Sequence, residues 1–272
     1  MTPTAEPTSQ LASCRSSDGG FGIIPGAPSE PEPTALAAIA LGDGDARRWL
    51  EMSQDSVGAV TFRAGTVVRD VSALAALAFS RESARERALN HVETSQAAPL
   101  PRSDEVPHDP ATRGWAWTDD AFGWVEPTSW SLLALRRWRP LSSTIGDGLS
   151  LLVDRECELG GWNYGNREAF GVMLPPFAQT TAIALLALQR TQAGLVGRGL
   201  AALRRLLGAE SVGALTAATA AIALRLHGDS ESERLGELAR RALGKMERPD
   251  AITLAWVALA GSADSTLEPL AL

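Results

Sequence analysis

Hydrophobic positions in this chain come in short, dense blocks. Each block opens on a small residue, alternates Ala with large aliphatics and closes on Ala-Leu or its equivalent. The copies are TALAAIAL from Thr34, SALAALAF from Ser72, TSWSLLAL from Thr128, TAIALLAL from Thr181, AATAAIAL from Ala217 and a degenerate ITLAWVAL from Ile252. Their residues are strong helix formers, and Pro33, Pro127 and Pro176 stand at or close to the starts of three of them. Each block is apolar nearly all round, which predicts a buried helix rather than a surface one.

Between the blocks the pattern changes. Residues 46–54, 81–92, 145–155, 195–207 and 232–246 carry Arg, in most of them with Glu or Asp, on one face and aliphatics on the other. Leu200, Leu203 and Leu207 fall at the i, i+3, i+7 spacing of a single buried stripe. The reading is therefore all-α: about six helical hairpins, each a buried Ala/Leu-rich helix followed by an amphipathic one. Six hairpins suffice to close an α/α toroid, with the apolar helices as inner ring. An outer partner is missing for the sixth inner helix, and residues 7–15 are expected to supply it. Residues 1–272 read as a single domain. Residues 93–113 are polar and contain Pro99, Pro101, Pro107 and Pro110, so they read as an exposed, mobile insertion.

Composition narrows the function classes. Apolar residues make up 45% and charged residues 21%, which fits a folded globular chain. The formal charge is −7, from 25 basic and 32 acidic residues, with no basic run. Nucleic-acid binding and electrostatic membrane anchoring both need clustered Lys and Arg, so neither is expected. No stretch of about 18 apolar residues is present to span a bilayer. The N-terminus has neither a basic nor an apolar secretory region. Two cysteines, Cys14 and Cys157, do not make a disulfide framework. The expected location is the cytoplasm.

A second motif leads into the inner helices: Gly-Gly, an aromatic, a proline, then the helix. It is seen in DGGFGIIPGAPSEPEP from Asp18, GWAWTDDAFGWVEP from Gly114 and GGWNYGNREAFGVMLPPFAQ from Gly160. These loops and the Ala-Leu helices together resemble the prenyltransferase and squalene-cyclase repeat family. The family's Q-x-x-D-G-G-W-like loop is matched by RSSDGGF from Arg15 and CELGGW from Cys157, with a degenerate copy at Gln54. The resemblance covers nearly the whole chain. It implies an α/α toroid, as in triterpene cyclases, protein prenyltransferase β subunits and complement thioester domains.

The family's several chemistries place different residues. Its class II cyclases carry D-x-D-D-T-A, whose central acid protonates an alkene. That pattern falls on Glu30–Ala35 and on Trp124–Thr128, so Glu32 and Glu126 occupy the donor position without the acidifying Asp neighbours. A Glu just inside a Pro-started helix also suits the helix dipole. Prenyltransferase zinc needs Asp, Cys and His ligands, and Cys14, Cys157, His91, His108 and His227 do not supply that spacing. No zinc, other metal or cofactor is expected. The thioester run Cys-Gly-Glu-Gln is absent. Asp119 and Asp120 form a pair able to hold a metal-bound diphosphate.

Eight Trp against one Tyr is unusual. Trp124, Trp130 and Trp162 are candidate ligand-facing residues at the toroid mouth, with Tyr164 and Gln179 as polar neighbours. The expected ligand is a hydrophobic, isoprenoid-type small molecule, bound in the lumen and, if the protein is an enzyme, transformed there. The alternative is a protein partner, for a toroid that kept its shape and lost its chemistry. An inverting glycosidase built on Glu126 with Asp119 or Asp120 is a third reading, which the loop motif disfavours.

Overall fold

The computed structural model describes residues 6–64, 67–102, 108–118, 121–209 and 211–272. About 55% of the chain is helical and 6% is strand. Six helices are largely buried: α2 (Pro31–Leu41), α4 (Ser72–Ala78), α6 (Val125–Trp138), α8 (Ala178–Ala187), α10 (Ala214–Leu226) and α12 (Ala251–Ala260). These are the six blocks, and nearly every residue from Thr34 to Ile39 and from Thr180 to Leu188 is buried. Five amphipathic helices alternate with them: α3 (Gly44–Met52), α5 (Glu82–Thr94), α7 (Thr144–Asp154), α9 (Ala193–Ala209) and α11 (Glu231–Leu243). Each packs on the apolar helix before it.

The apolar helices neighbour one another in chain order. α2 packs on α4, α4 on α6, α6 on α8, α8 on α10 and α10 on α12, and α12 packs back on α2. The N-terminal α1 (Pro7–Ala12) lies on α12, where the missing outer partner was expected. The C-terminal tail is α13 (Asp264–Leu267) and a 3-10 turn (Glu268–Leu270), and it is bonded to the C-terminal ends of α6, α8 and α10. Gln189, just past α8, donates to the Leu270 carbonyl at 2.8 Å, Arg137 of α6 donates to Ala271 at 2.5 Å, and Arg225 of α10 donates to Ser262 at 2.8 Å. Leu267 and Leu270 are buried beneath these bonds.

One bond recurs at the entry to four inner helices. A loop residue gives its backbone N–H to a hydroxyl in the first turn of the helix: Phe21 to Thr34 (2.8 Å), Val60 to Ser72 (2.8 Å), Trp115 to Thr128 (3.0 Å) and Trp162 to Thr181 (2.9 Å). The small polar residue that opens each block is thus the buried acceptor that ties loop to helix. In three of the four loops a glycine with positive φ (Gly19, Gly58, Gly160) lets the loop backbone approach the next amphipathic helix. A Cβ on Gly58 would lie 2.4 Å from the Arg87 carbonyl, and one on Gly160 would lie 2.9 Å from that of Arg198.

The loop's first residue reaches the same helices. Arg15 pairs with Asp43, Gln54 donates to the Ala84 carbonyl at 2.9 Å, and Glu156 accepts from Arg198 at 2.6 Å. The third copy of the motif therefore begins at Glu156, one residue before the Cys157 start expected from the sequence.

Strands depart from the all-α expectation. β1 (Thr61–Ala64) pairs antiparallel with β2 (Val67–Asp70), and β3 (Glu168–Ala169) with β4 (Val172–Met173). Both fill loops between an outer helix and the next inner one. The 93–113 insertion starts inside α5, and its described flanks are bonded: Ala97 N–H to Gly114 O at 2.8 Å and Leu100 N–H to Pro110 O at 3.0 Å. His108 is buried against Phe122, not exposed as expected of that insertion, with ring centroids 5.7 Å apart. Residues 103–107 lie outside the described residues.

Candidate functional site

Glu32 and Glu126 are each the second residue of an inner helix, in α2 and α6, and the fold brings them together. Arg69 of β2 lies between them. Its Nη1 is 2.6 Å from Glu32 Oε2, and its Nη2 is 3.8 Å from Glu126 Oε1. The guanidinium carbon sits 3.9 Å from the centroid of the Trp117 ring, a cation–π stack. In β2, Arg69 pairs with Phe62 across the hairpin, so the pleat puts Val68 and Asp70 on the other face.

Two acids sharing one cation cannot both be ionised cheaply. Burial raises the Glu126 pKa to about 7, and the charge of Glu32 adds to this, while Arg69 pulls the other way. Glu32 is raised chiefly by burial, against the pull of Arg69, with Glu30 and Asp250 contributing repulsion. Glu126 is therefore a carboxyl able to hold a proton near neutrality, the property a general acid needs.

Glu32 lines a recess together with Leu74, Trp115, Trp117, Pro127 and Trp130, whereas Glu126 and Arg69 are not among its lining residues. Trp130 is buried there and tilts against Trp256 of α12, centroids 6.0 Å apart. The recess is tight: a water molecule's centre fits over about 20 Å³, enough for one water. A wider cleft of about 460 Å³ adjoins it on the far side of the hairpin. Asp70, Ser95, Ala116 and Trp117 line both spaces and so form the partition.

In that outer cleft His91 Nε2 lies 2.7 Å from Asp70 Oδ2. Burial works against the Asp70 carboxylate, but its bonds from His91 and Ser72 outweigh that and hold its pKa below the ordinary value. Asp70 and Arg69 went unnoticed in the sequence because neither belongs to the repeat. The available signal was the β-branched, alternating TFRAGTVVRD from Thr61, which reads as a hairpin.

The other nominated residues scatter. Trp124 caps α6 and stacks on Phe122, centroids 4.7 Å apart. Trp162 is wholly buried away from the recess. Its indole N–H goes to the Leu152 carbonyl at 2.7 Å and its ring sits against Gly199, so it has no face to offer a ligand. Tyr164 is largely exposed against Phe177, and its backbone carbonyl takes the Val125 N–H at 3.0 Å. Gln179 is half-buried in the first turn of α8. Asp119 and Asp120 lie outside the described residues. Among the described residues no three His, Cys, Asp or Glu side chains are grouped so as to hold a metal, and no helix is long and apolar enough to cross a membrane.

No family model and no curated protein matches the chain.

Proposed function

We propose that the protein is an α/α toroid of the prenyltransferase and squalene-cyclase repeat type that binds a hydrophobic, isoprenoid-type ligand at the mouth of its ring. The observation that carries this reading is the convergence of Glu32 and Glu126 on Arg69 beside the tryptophan-walled recess. The neighbour-to-neighbour order of the inner helices, with α12 returning to α2, supports the toroid. In this reading Glu32 and Glu126 are the acids, Glu32 facing the recess and Glu126 holding a proton near neutrality beside it. Trp130 and Trp117 offer aromatic faces to an apolar chain or to a cation formed from it. With Glu126 protonated and Glu32 paired to Arg69, the three groups carry no net charge, which suits an uncharged ligand. We place the protein in the cytoplasm on its two free, buried cysteines.

A second reading has its own observation. About 20 Å³ of water-centre space is far below the several hundred Å³ of ordinary ligand sites. A filled interior suits a non-catalytic toroid that binds a protein partner. Incubation with squalene and with farnesol, followed by mass spectrometry of retained and released lipid, separates the two. The ligand reading expects retained lipid, and product that disappears in Glu126→Gln. No retained lipid at any concentration leaves the partner-binding reading.

A further inference from the structure

We propose that the C-terminal ends of α6, α8 and α10 form a peptide-binding site, filled here by the chain's own residues 264–272, which takes an acidic, leucine-bearing segment of another protein when that tail is displaced. The site lies at the far end of α6 from Glu126 and does not depend on the ligand reading.

The tail is held as a ligand is held. Among the described residues, no main-chain hydrogen bond joins 263–272 to a helix or strand outside it. Side chains make the contacts instead. Gln189 is buried, and its amide is anchored to the Leu186 carbonyl at 2.8 Å. From there it donates to the Leu270 carbonyl and accepts the Leu272 N–H at 3.2 Å. These two bonds flank Ala271 as those of a neighbouring strand would, a mode that reads main chain whatever the sequence. Arg137 adds its bond to the Ala271 carbonyl. The four residues of α13 are too few to hold a helix alone, so the tail takes its shape from the site.

Selectivity comes from two leucines and two acids. Leu267 and Leu270 are buried, with α13 packed on α2 and the 3-10 turn on α4. Asp264 pairs with Arg225 at 2.5 Å, and Glu268 pairs with Arg137. Both acids are exposed, so these pairs steer an occupant more than they hold it. Arg136 donates to the Ala187 carbonyl and lies within reach of the Arg190 charge, which concentrates positive charge around Gln189. An acidic segment with leucines three residues apart therefore fits where the tail now sits.

Leu267→Asp combined with Leu270→Asp in the full chain puts charge where leucine is buried, which releases the tail and leaves Gln189, Arg137 and Arg225 in place. A fluorescein-labelled peptide of residues 262–272 is expected to bind this variant at least about tenfold more tightly than wild type, whose own tail must first leave. The peptide carrying Leu270→Ala is expected to bind at least about tenfold more weakly. A folded variant that binds neither peptide overturns the site. Hydrogen exchange of the wild type serves if the variant does not fold. Its Leu270 amide is expected to speed as unlabelled peptide is added, because the peptide captures the site while the tail is out. A rate indifferent to the peptide makes the tail a fixed part of the fold and overturns the proposal. A wild type that sediments as a dimer gives the site to the tail of a second copy and overturns the outside partner.

Discussion

Thr181 accepts the backbone N–H of Trp162 at 2.9 Å across a 19-residue loop that contains a hairpin of its own. The hydroxyl is wholly buried and returns a bond to the Trp162 carbonyl at 3.1 Å. Thr181→Val keeps the shape and strands the Trp162 N–H away from water, while the Trp162 carbonyl still accepts from the Phe177 N–H at 2.9 Å. The expected loss is about 1–3 kcal/mol in urea unfolding. Thr219→Val is the control, since that hydroxyl only donates to Leu215, one turn back in its own helix. Its loss is expected to stay below about 1 kcal/mol. Equal losses would mean the loop bond contributes nothing special.

Gly58 sits at φ +89° with the Arg87 carbonyl where a Cβ would go. Gly26 has φ +82° and open space around it. Alanine at Gly26 meets only the left-handed backbone penalty, about 1 kcal/mol. Alanine at Gly58 must also push the loop off α5, so it is expected to cost clearly more and to lower the midpoint of thermal unfolding further. Similar midpoints for the two variants would show that the loop does not need to touch the helix.

Glu126 makes stability depend on pH with a definite sign. Its folded pKa of about 7 lies above the ordinary 4.5, so the native state binds the proton more tightly. The stability this group contributes is then full below pH 4.5 and falls as pH rises towards 7, with a slope of at most about 1.4 kcal/mol per pH unit. Glu126→Gln is expected to flatten that slope and to be the more stable protein at pH 8. This holds even though the variant loses its pull on Arg69, because burial and Glu32 outweigh that pull. Unfolding curves at pH 5 and pH 8 check it; a wild-type profile that rises across this range, unaltered in the variant, would show Glu126 to be ordinary.

The repeat made most of this architecture readable. A block such as TAIALLAL is apolar on every side, so burial of a helix follows from it directly, and its opening Thr marks the helix start. Glu32 and Glu126 were found because they stand at the same place in two copies. What joins them was not, because Arg69 sits in a non-repeated loop and its partners are far away in sequence. Trp162 misled for a related reason: the aromatic after Gly-Gly looks ligand-facing in the loop, yet its indole N–H is used by Leu152 in the core. The Glu156 register was obscured because the position is filled by Arg15, Gln54 and Glu156, which share only the reach to an outer helix.

His108 contributes the opposite sign to Glu126. Burial, with the nearby Arg155 charge, depresses its pKa to about 4. The unfolded chain takes up the proton first, so this group's contribution is full above pH 6.5 and is lost as pH falls towards 4. In NMR titrations its ring protons are expected to stay unshifted at pH 6, where an exposed histidine is largely charged. A midpoint near 6.5 would mean that the ring is solvated and does not pack on Phe122.

Leu11 tests whether the ends of the chain belong to one cooperative unit. It is wholly buried on α1, which lies against α12 at the far end of the sequence. In an open stack of hairpins a terminal helix frays by itself, because each repeat senses only its neighbours. In a ring, α1 bridges the first and last hairpins, and loosening it loosens both. Leu11→Ala is therefore expected to cost about 2–5 kcal/mol in global unfolding. Amide exchange should speed in α12 and in α2 together. Acceleration confined to residues 7–12, with the global transition unmoved, would indicate an arc whose ends are not joined.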